Sequence, residues 1–505
     1  MPHILHPYKN ALFGSGVSVS ATVAQSFVTT PSLPAWLDIS GNTGNRMLYD
    51  NTGKLTYAPN NLLISTATLS TQSATVVIGV NYIVSFFGTG SVTLSGAATA
   101  TINGTGAANR VSQVITATTT TLTLTVTGSV TSAQLEAVTY QTSPSTYVAT
   151  TAAAYYGPRF DFDPNSLNSN GLLVEDSITN IALNSEAMGS WTANGSTVTN
   201  DTLVSPNGLQ TADTITETVV TGGHTRSQNI TVTNATVYTY SVYAQKGERT
   251  WLVMGTVGAG TGYTFFDLTN GVVGTKLAAH TTATITNVGG GWYRCSITFT
   301  TTTTTLTVHV GMGQANTVST YTGDGTSRIY AWGAQVELGT FASSYIPTTS
   351  ASLTRTADDV KLGGTFLSTI GGAAGTVVQE MTLLGNRSVN QYGIYGNTVG
   401  PIYFDSTLAV SATNGTNVLA SGTTATASVP VRAGLAWDGS GRAISVNGGA
   451  AVTDANTFGT IGATVYVGSN NGANVPNGWV RALGIYNTKL SGSTLTTKTT
   501  VGVLL

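Results

Sequence analysis

Polar and apolar residues alternate over several stretches of the chain. In the clearest stretch, 118–126, Thr alternates with Leu and Val, and the pattern returns at 303–310, 443–446 and 464–467. A period of two directs successive side chains to opposite faces of a strand. Residue pairs that favour hairpin turns separate such stretches: Asn103-Gly104, Asn270-Gly271, Asp438-Gly439 and Asn447-Gly448. The pattern predicts an all-β protein of tandem antiparallel β-sandwich (jelly-roll) domains.

An internal repeat organises the first two thirds of the chain. Its landmarks occur in the same order in both copies: Asn61-Leu62-Leu63-Ile64 and Asn180-Ile181-Ala182-Leu183, 82–87 and 238–243, 133–136 and 334–337, 145–147 and 343–345. The second copy is longer between its landmarks, which predicts extra strands or loop insertions rather than a different fold. Glu136, Glu175 and Glu337 recur at equivalent places, which favours a structural role such as pairing with Arg159 or Arg355.

The repeat divides the chain into four segments. Residues 1–60 precede the first copy and are predicted to be a short irregular anchor, 61–157 form the first sandwich, and 158–360 form a linker and the second sandwich. Residues 361–505 carry different landmarks and form a third domain. Pro158 and Pro164, with several carboxylates nearby, make the linker a defined connection rather than a flexible Gly/Ser tether.

Composition narrows the class of protein. Of 505 residues only 8% are charged, Lys and Arg number 19 against 21 Asp and Glu, and the net charge is −2. There is no basic field for phosphates, so we expect no nucleic-acid partner. About 18 consecutive apolar residues are needed for a spanning helix and none occur, so we expect no membrane insertion. The N-terminus does not have the pattern of a secretory signal. The single cysteine, Cys295, forms no disulfide within the chain.

The linker and second copy resemble virion proteins of tailed bacteriophages that carry carbohydrate-binding-module-like β-sandwiches. The segments that carry the resemblance are Phe160-Asp161-Phe162-Asp163-Pro164, 171–175, 240–248, Gly291-Trp292-Tyr293-Arg294-Cys295, 332–337 and Tyr345-Ile346-Pro347-Thr348. The third domain resembles concanavalin A-like or laminin-G-like jelly rolls. Its hairpin-like stretches 431–437 and 443–446, the Asn447-Gly448 turn, and the segments 465–469 and 479–486 carry that resemblance.

The resemblance implies a virion structural protein on the virion surface. Our first hypothesis is a tail or head fibre, an adhesin that binds host surface polysaccharide, docked on other virion proteins through residues 1–60. The alternative is a capsid, sheath or tail decoration protein without a glycan ligand, and a polysaccharide depolymerase is a weaker one. Fold does not decide among them. Fibres favour a homo-oligomer, and a trimer in particular, although no heptad repeat supports it.

The residues favour a non-enzymatic role. Glycan hydrolysis needs two carboxylates facing one cleft, whereas Asp161, Asp163, Asp358 and Asp359 lie at domain edges and are interpreted as turn or linker residues. We predict no cofactor. Calcium is the metal that jelly-roll lectins often carry, with Asp324, Asp405 and Asp438 as candidate donors, but no ligand spacing supports a site.

Aromatic side chains are the positive signal for glycan binding, because sugar rings stack on flat aromatic faces. Trp292, Trp332 and Trp437 lie within strong strand patterns and are predicted to be core. Trp191 and Trp479 lie near turns and are the better candidates for an exposed platform. Tyr392 and Tyr395, in a predicted loop at 390–397, are their companions.

Overall fold

The computed structural model describes residues 22–40, 46–138, 141–363, 374–386, 389–396, 399–458, 464–469, 474–503 and 505. In this part of the chain, 42 strands and one short α-helix are present, and the strands pair antiparallel. The prediction of an all-β protein of tandem antiparallel sandwiches is confirmed. No helix among the described residues has the length and apolar character needed to cross a bilayer.

Five short strands precede the first sandwich. They are β1 (Val23–Ser26), β2 (Leu37–Ser40), β3 (Met47–Tyr49), β4 (Leu55–Tyr57) and β5 (Asn60–Asn61). Strands β3 and β4 pair with each other as the N-terminal hairpin.

The first sandwich packs a three-stranded sheet, in the order β10-β7-β12, on a four-stranded sheet, β6-β11-β8-β9. Its strands are β6 (Gln72–Thr75), β7 (Asn81–Gly88), β8 (Ser91–Gly96), β9 (Ala100–Asn103), β10 (Gly106–Thr116), β11 (Thr121–Thr127) and β12 (Val130–Val138), and β13 (Tyr155–Tyr156) pairs with β5. The predicted alternation appears in β11, where Leu122 and Leu124 are fully buried between exposed or half-buried Thr residues.

The second sandwich is larger. Its two six-stranded sheets have the orders β17-β21-β28-β23-β24-β25 and β18-β19-β30-β22-β27-β26. The linker and second-sandwich strands are β14 (Phe160–Phe162), β15 (Ser169–Val174), β16 (Ile178–Asn180), β17 (Thr192–Asn194), β18 (Ser196–Val204), β19 (Gln210–Glu217), β20 (Thr221–Gly222), β21 (His224–Thr231), β22 (Val237–Lys246), β23 (Trp251–Val257), β24 (Gly262–Asp267), β25 (Val272–Val273), β26 (His280–Asn287), β27 (Tyr293–Thr300), β28 (Thr305–Gly313), β29 (Tyr321–Thr322), β30 (Arg328–Leu338) and β31 (Leu353–Arg355). A single 3-10 turn spans Met188–Ser190.

The C-terminal sandwich contains the remaining elements. They are β32 (Asp359–Leu362), β33 (Gly375–Leu383), β34 (Gln391–Gly396), β35 (Val399–Phe404), β36 (Ala409–Thr413), β37 (Val418–Thr424), β38 (Pro430–Asp438), β39 (Gly441–Val446), β40 (Val452–Asp454), β41 (Tyr466–Val467), β42 (Gly478–Tyr486) and the helix α1 (Gly492–Thr499). The predicted hairpin is β38–β39. At the turn that follows, Asn447 and Gly448 have φ values of 50° and 75°, as a tight turn with two left-handed residues requires.

Strands from the N-terminus and the linker complete the C-terminal sandwich. Strand β1 pairs with β42, with Val23 opposite Ile485, and β2 pairs with β32, with Leu37 opposite Leu362. Strands β14 and β15 extend the same sheet from β42. Gly171 on β15 has a φ of 119°, and a Cβ there would lie 2.5 Å from the Val480 carbonyl oxygen, so only glycine allows this approach.

These pairings correct the prediction that residues 1–60 are irregular. Of that segment, 22–40 and 46–60 are described, and they hold strands whose side chains enter the cores. Phe27 is fully buried in the C-terminal core, and Met47 and Leu55 of the N-terminal hairpin pack on the second sandwich. Residues 1–21 and 41–45 lie outside the described residues.

The internal repeat is visible as a duplicated polar framework. In the first copy the Asn61 amide donates to Ala133 O and Val148 O and its Oδ1 accepts from the backbone N–H groups of Leu63 and Leu135. Asn180 makes the same four bonds, to Ala334, Ile346, Ala182 and Val336. The longer second copy gains strands, including β25 and β26 between the equivalents of β9 and β10, as its landmark spacing predicts.

Candidate functional site

A cleft of about 590 Å³ lies between the second sandwich and the C-terminal sandwich. Five parts of the chain line it: the N-terminal hairpin, the linker between 161 and 175, the outer face of strands β22, β26 and β27, the segment 340–345 that follows β30, and the C-terminal sandwich at 384–386, 427–428 and 479. Its volume lies in the range of about 300–1,000 Å³ that is usual for small-ligand sites. We refer to it as the interdomain cleft.

Trp479 lies on the C-terminal side of the interdomain cleft and is partly exposed. Its backbone is held on both sides, because β42 runs between β15 and β33 with Trp479 opposite Leu173 and Thr382. Its indole Nε1 donates a 2.8 Å hydrogen bond to Asp161 Oδ2. Fixed backbone and fixed ring orientation make Trp479 a preorganised aromatic surface.

Asp161 lies beneath this aromatic surface and is 5% exposed. Besides the indole, it accepts from the Tyr49 backbone N–H at 2.8 Å and from Asn170 Nδ2 at 3.2 Å. Burial raises the pKa of Asp161 to about 6, against the lowering effect of these three hydrogen bonds. The carboxylate therefore acts as an acceptor that joins the N-terminal hairpin, the linker and β42.

A row of hydroxyl groups lines the cleft on the side of the second sandwich. Thr282, Thr284 and Thr286 alternate along β26, so the period of the strand places all three on one exposed face. Ser296 on the neighbouring strand β27 shares a 2.6 Å hydrogen bond with Thr284. Hydroxyls both donate and accept, which suits a ligand that carries many hydroxyls of its own.

Arg294 supplies positive charge at the base of the interdomain cleft. Its Nη1 donates to Ser343 O at 2.7 Å and its Nη2 to Ser241 Oγ at 3.1 Å, and the guanidinium lies 5.2 Å over the Tyr243 ring. Behind it Tyr243 makes edge contacts with Trp332 and Tyr345, at 5.3 and 5.9 Å between ring centroids. This packed aromatic group makes the base of the cleft rigid.

A buried ion cluster fixes the elements around the cleft. Glu175 accepts from Arg159 at 2.5 Å, lies 3.2 Å from Arg355 and accepts from Ser344 Oγ at 2.6 Å, while Asp358 pairs with Arg159 and Arg46. The predicted pairing with Arg159 or Arg355 is confirmed for Glu175, whereas Glu136 and Glu337 accept bonds from Ser145 and Ser343. Burial opposes ionisation of Glu175, but the Arg355 and Arg159 charges and the Ser344 bonds lower its pKa to about 2.

The predicted aromatic residues do not meet at one site. Trp479 lies in the interdomain cleft, whereas Trp191 is only 3% exposed, packs in the core of the second sandwich and donates from Nε1 to Leu183 O at 3.1 Å. Trp191 as an exposed platform is therefore wrong, since the chain after the 3-10 turn directs the ring inward. Tyr392 and Tyr395 lie on strand β34 rather than in a loop, with ring centroids 4.9 Å apart, away from the cleft lining.

The predicted core tryptophans are confirmed: Trp292, Trp332 and Trp437 are 3%, 0% and 1% exposed. The buried Cys295 lies in the same core as Trp191, and burial raises the pKa of its thiol well above the usual range.

The candidate calcium donors each hold their own turn. Asp324 accepts from the Thr326 and Ser327 backbone N–H groups, at 2.7 Å each. Asp405 and Asp438 do the same for Thr407 and Ser440. Within the described ranges no three His, Cys, Asp or Glu side chains are grouped so that they would hold a metal ion. These carboxylates have a turn-forming role that needs no ion.

Sequence reasoning missed most of the cleft. Asp161 was interpreted as a linker carboxylate, and Arg294 and Thr282–Thr286 were not singled out. Thr at every second position of 282–286 predicts a strand with one polar face. Nothing local indicates that this face lines the same cleft as Trp479, which is almost 200 residues later in the chain.

Comparison with known proteins finds weak structural similarity over part of the chain. No family model and no curated protein matches the sequence. Among solved structures, the CBM40 of the Ruminococcus gnavus IT-sialidase bound to α2,3-sialyllactose is 18% identical, over 26% of this chain and 86% of that one, with a TM-score of 0.24. A Trypanosoma rangeli sialidase in complex with 2,3-difluorosialic acid is 13% identical, over 28% and 25% of the two chains, with a TM-score of 0.23. A heptameric SAP-like pentraxin from Limulus polyphemus is 16% identical, over 25% and 70%, with a TM-score of 0.20.

These matches, with TM-scores of 0.24 or less, do not define the activity of the protein. The class that fold and site define is a tandem β-sandwich protein with a polar, aromatic cleft between two of its domains.

Proposed function

We propose that the protein binds glycans in the interdomain cleft and that Trp479 is the aromatic surface on which a sugar ring stacks. The observation that carries the proposal is the geometry of Trp479: a partly exposed indole in the cleft, oriented by its 2.8 Å bond to Asp161. The hydroxyl row of β26 lines the same cleft and offers donors and acceptors to sugar hydroxyls.

The wider role that we propose is that of a non-enzymatic bacteriophage fibre or adhesin on the virion surface, recognising host surface polysaccharide. The resemblance of roughly 160–357 to phage virion proteins supports it, and docking through residues 1–60 and trimerisation belong to the same proposal. Weak single sites would gain avidity from the copies in such an assembly.

The test is binding of the full chain to polysaccharide purified from candidate host cells, measured by calorimetry or biolayer interferometry. We expect saturable binding that falls at least tenfold in Trp479→Ala and stays unchanged in Tyr392→Ala and Tyr395→Ala, which are matched aromatic controls outside the cleft. Thermal unfolding of each variant confirms that it is folded.

Two outcomes contradict the proposal. Equal binding by Trp479→Ala and the native chain would place the glycan site elsewhere. Absence of binding to any host polysaccharide would favour the decoration protein, in which the sandwiches provide external bulk without a glycan ligand.

A further inference from the structure

The charged side chains that line the interdomain cleft affect whether it accepts neutral or charged glycans. Besides tyrosines, its ionisable lining consists of Asp161, Asp163, Glu175 and Arg294. Glu175 is fully buried and already paired with Arg159 and Arg355. Among the described lining residues, one cation therefore faces two carboxylates that have no ion pair, Asp161 and Asp163.

Two of the five N–H groups of Arg294 already donate inside the protein, and its Nε is buried. Recognition of a carboxylate usually uses the two parallel N–H groups of a guanidinium fork. Both terminal nitrogens of Arg294 already donate, to Ser343 O and Ser241 Oγ.

The first sandwich provides an internal control for this interpretation. There Arg110 donates to Ser145 O and, at 2.9 Å, to Ser85 Oγ, the residues equivalent to Ser343 and Ser241. Arg110 does not line the interdomain cleft. The guanidinium geometry of Arg294 thus belongs to the repeat framework, and its presence at the cleft is not a device for binding an anion.

Asp163 adds negative charge at the linker side of the interdomain cleft. It is half-buried, and its Oδ1 caps the following turn by accepting from the Asn165 and Ser166 N–H groups at 3.0 and 2.7 Å. The hydroxyls of Thr282, Thr284 and Thr286, which line the same cleft, are uncharged and exposed. Sugar hydroxyls can bond to this wall, whereas a sugar carboxylate would lose water and meet like charge.

We infer, on the basis of the proposed glycan-binding function, that the interdomain cleft accepts uncharged sugar units and discriminates against carboxylated ones. Asp163 is the specificity-determining residue, because its charge repels a ligand carboxylate while its hydrogen bonds shape the turn. Asp161 is a positioning residue that acts through Trp479.

The experiment compares matched probes on the full chain: neutral oligosaccharides on an array, and the same oligosaccharides capped with sialic or uronic acid. We expect the neutral members to bind at least tenfold more tightly and their affinity to be insensitive to salt between 50 and 500 mM NaCl. Asp163→Asn keeps the Oδ1 acceptor of the turn, so we expect it to narrow the discrimination several-fold, through tighter binding of the carboxylated probes.

The failures of the two proposals are distinguishable. Preference for the carboxylated probes that Trp479→Ala abolishes would overturn the inferred ligand class and leave the proposed cleft intact. Unaltered discrimination in a folded Asp163→Asn variant would overturn the role of Asp163. Absence of binding to both sets of probes would contradict the proposed function and, with it, this inference.

Discussion

The two sandwiches share one framework and differ in what surrounds it. Glu136 and Glu337 each accept bonds from the backbone N–H and the hydroxyl of an equivalent serine, Ser145 and Ser343. In the first copy strand β10, with Arg110 on it, forms the edge of its sheet. In the second copy the equivalent strand, β27, has β26 beside it.

That difference decides where the site forms. Strand β26 adds the exposed Thr row. The N-terminal hairpin and the C-terminal sandwich cover this face of the second copy, whereas they do not cover the equivalent face of the first copy. The repeat framework supplies stability in both copies, while the inserted strand and the neighbouring domain create the cleft in one. The duplicated motif therefore fixes the fold of both copies, and the elements packed around the second copy give that copy a candidate function.

Deletion of residues 1–60 should destabilise the C-terminal sandwich much more than the first sandwich. The deletion removes β1 and β2, the buried Phe27 and Arg46 of the ion cluster, so we expect the C-terminal sandwich to lose cooperative unfolding while the first sandwich keeps its core. Calorimetry and limited proteolysis with mass spectrometry measure this. A truncated chain with native melting transitions in every domain would show that 1–60 is a separable anchor after all.

Arg159→Ala tests the buried ion cluster. Removal of Arg159 leaves Glu175 and Asp358 buried with fewer partners, and we expect a loss of about 3–5 kcal/mol from the second and C-terminal sandwiches. Denaturation followed by Trp fluorescence measures it, because all seven Trp residues lie outside 61–157. Arg110→Ala is the matched control in the first sandwich and should leave the fluorescence transition in place.

Asn61→Ala and Asn180→Ala test the equivalence of the two frameworks. Both side chains are fully buried and each makes four backbone bonds, so we expect equal losses of about 3 kcal/mol, each in its own sandwich. Domain-resolved hydrogen exchange measures the two losses. A difference above about 1 kcal/mol between the two losses of stability would mean that the same hydrogen-bond geometry stabilises the two sandwiches unequally.

Asp161 makes the free energy of unfolding depend on pH, and we expect this effect to be smaller than those of the deletion and the substitutions above. Because its pKa rises from 3.8 to about 6 on folding, the native state binds more protons, and its contribution to stability falls by about 2 kcal/mol as the pH rises from 4 to 6. Glu175 acts in the opposite sense: its stabilisation is complete above its unfolded pKa of 4.5 and is lost as the pH falls towards about 2.

Urea unfolding of the native chain and of Asp161→Asn between pH 4 and pH 7 measures the first contribution. We expect the variant to lack the decline between pH 4 and 6, and Asp163→Asn, a neighbouring carboxylate with a turn-forming role, to retain it. Equal pH profiles for the native chain and Asp161→Asn would contradict the assignment.

Local features of the fold were readable from the sequence. Period-two alternation identified β11, β28 and β39 because the alternation of faces is a property of the strand itself. The duplicated landmarks identified the repeat because each copy builds its own core. The turn at Asn447-Gly448 and the buried Trp292, Trp332 and Trp437 follow from equally local rules.

The assembly of these pieces was decided by tertiary structure. Val23 pairs with Ile485, and the donor and acceptor of the Asp161–Trp479 bond are 318 positions apart. Such contacts depend on which sheet edges and faces remain uncovered after each domain has folded. The alternation of polar and apolar residues contains no information about those edges and faces. For the same reason Trp191 and Trp479 lie in different environments, although both are near turns in the sequence. The Trp191 ring packs in the core of its own sandwich, and the Trp479 ring lies where two sandwiches meet.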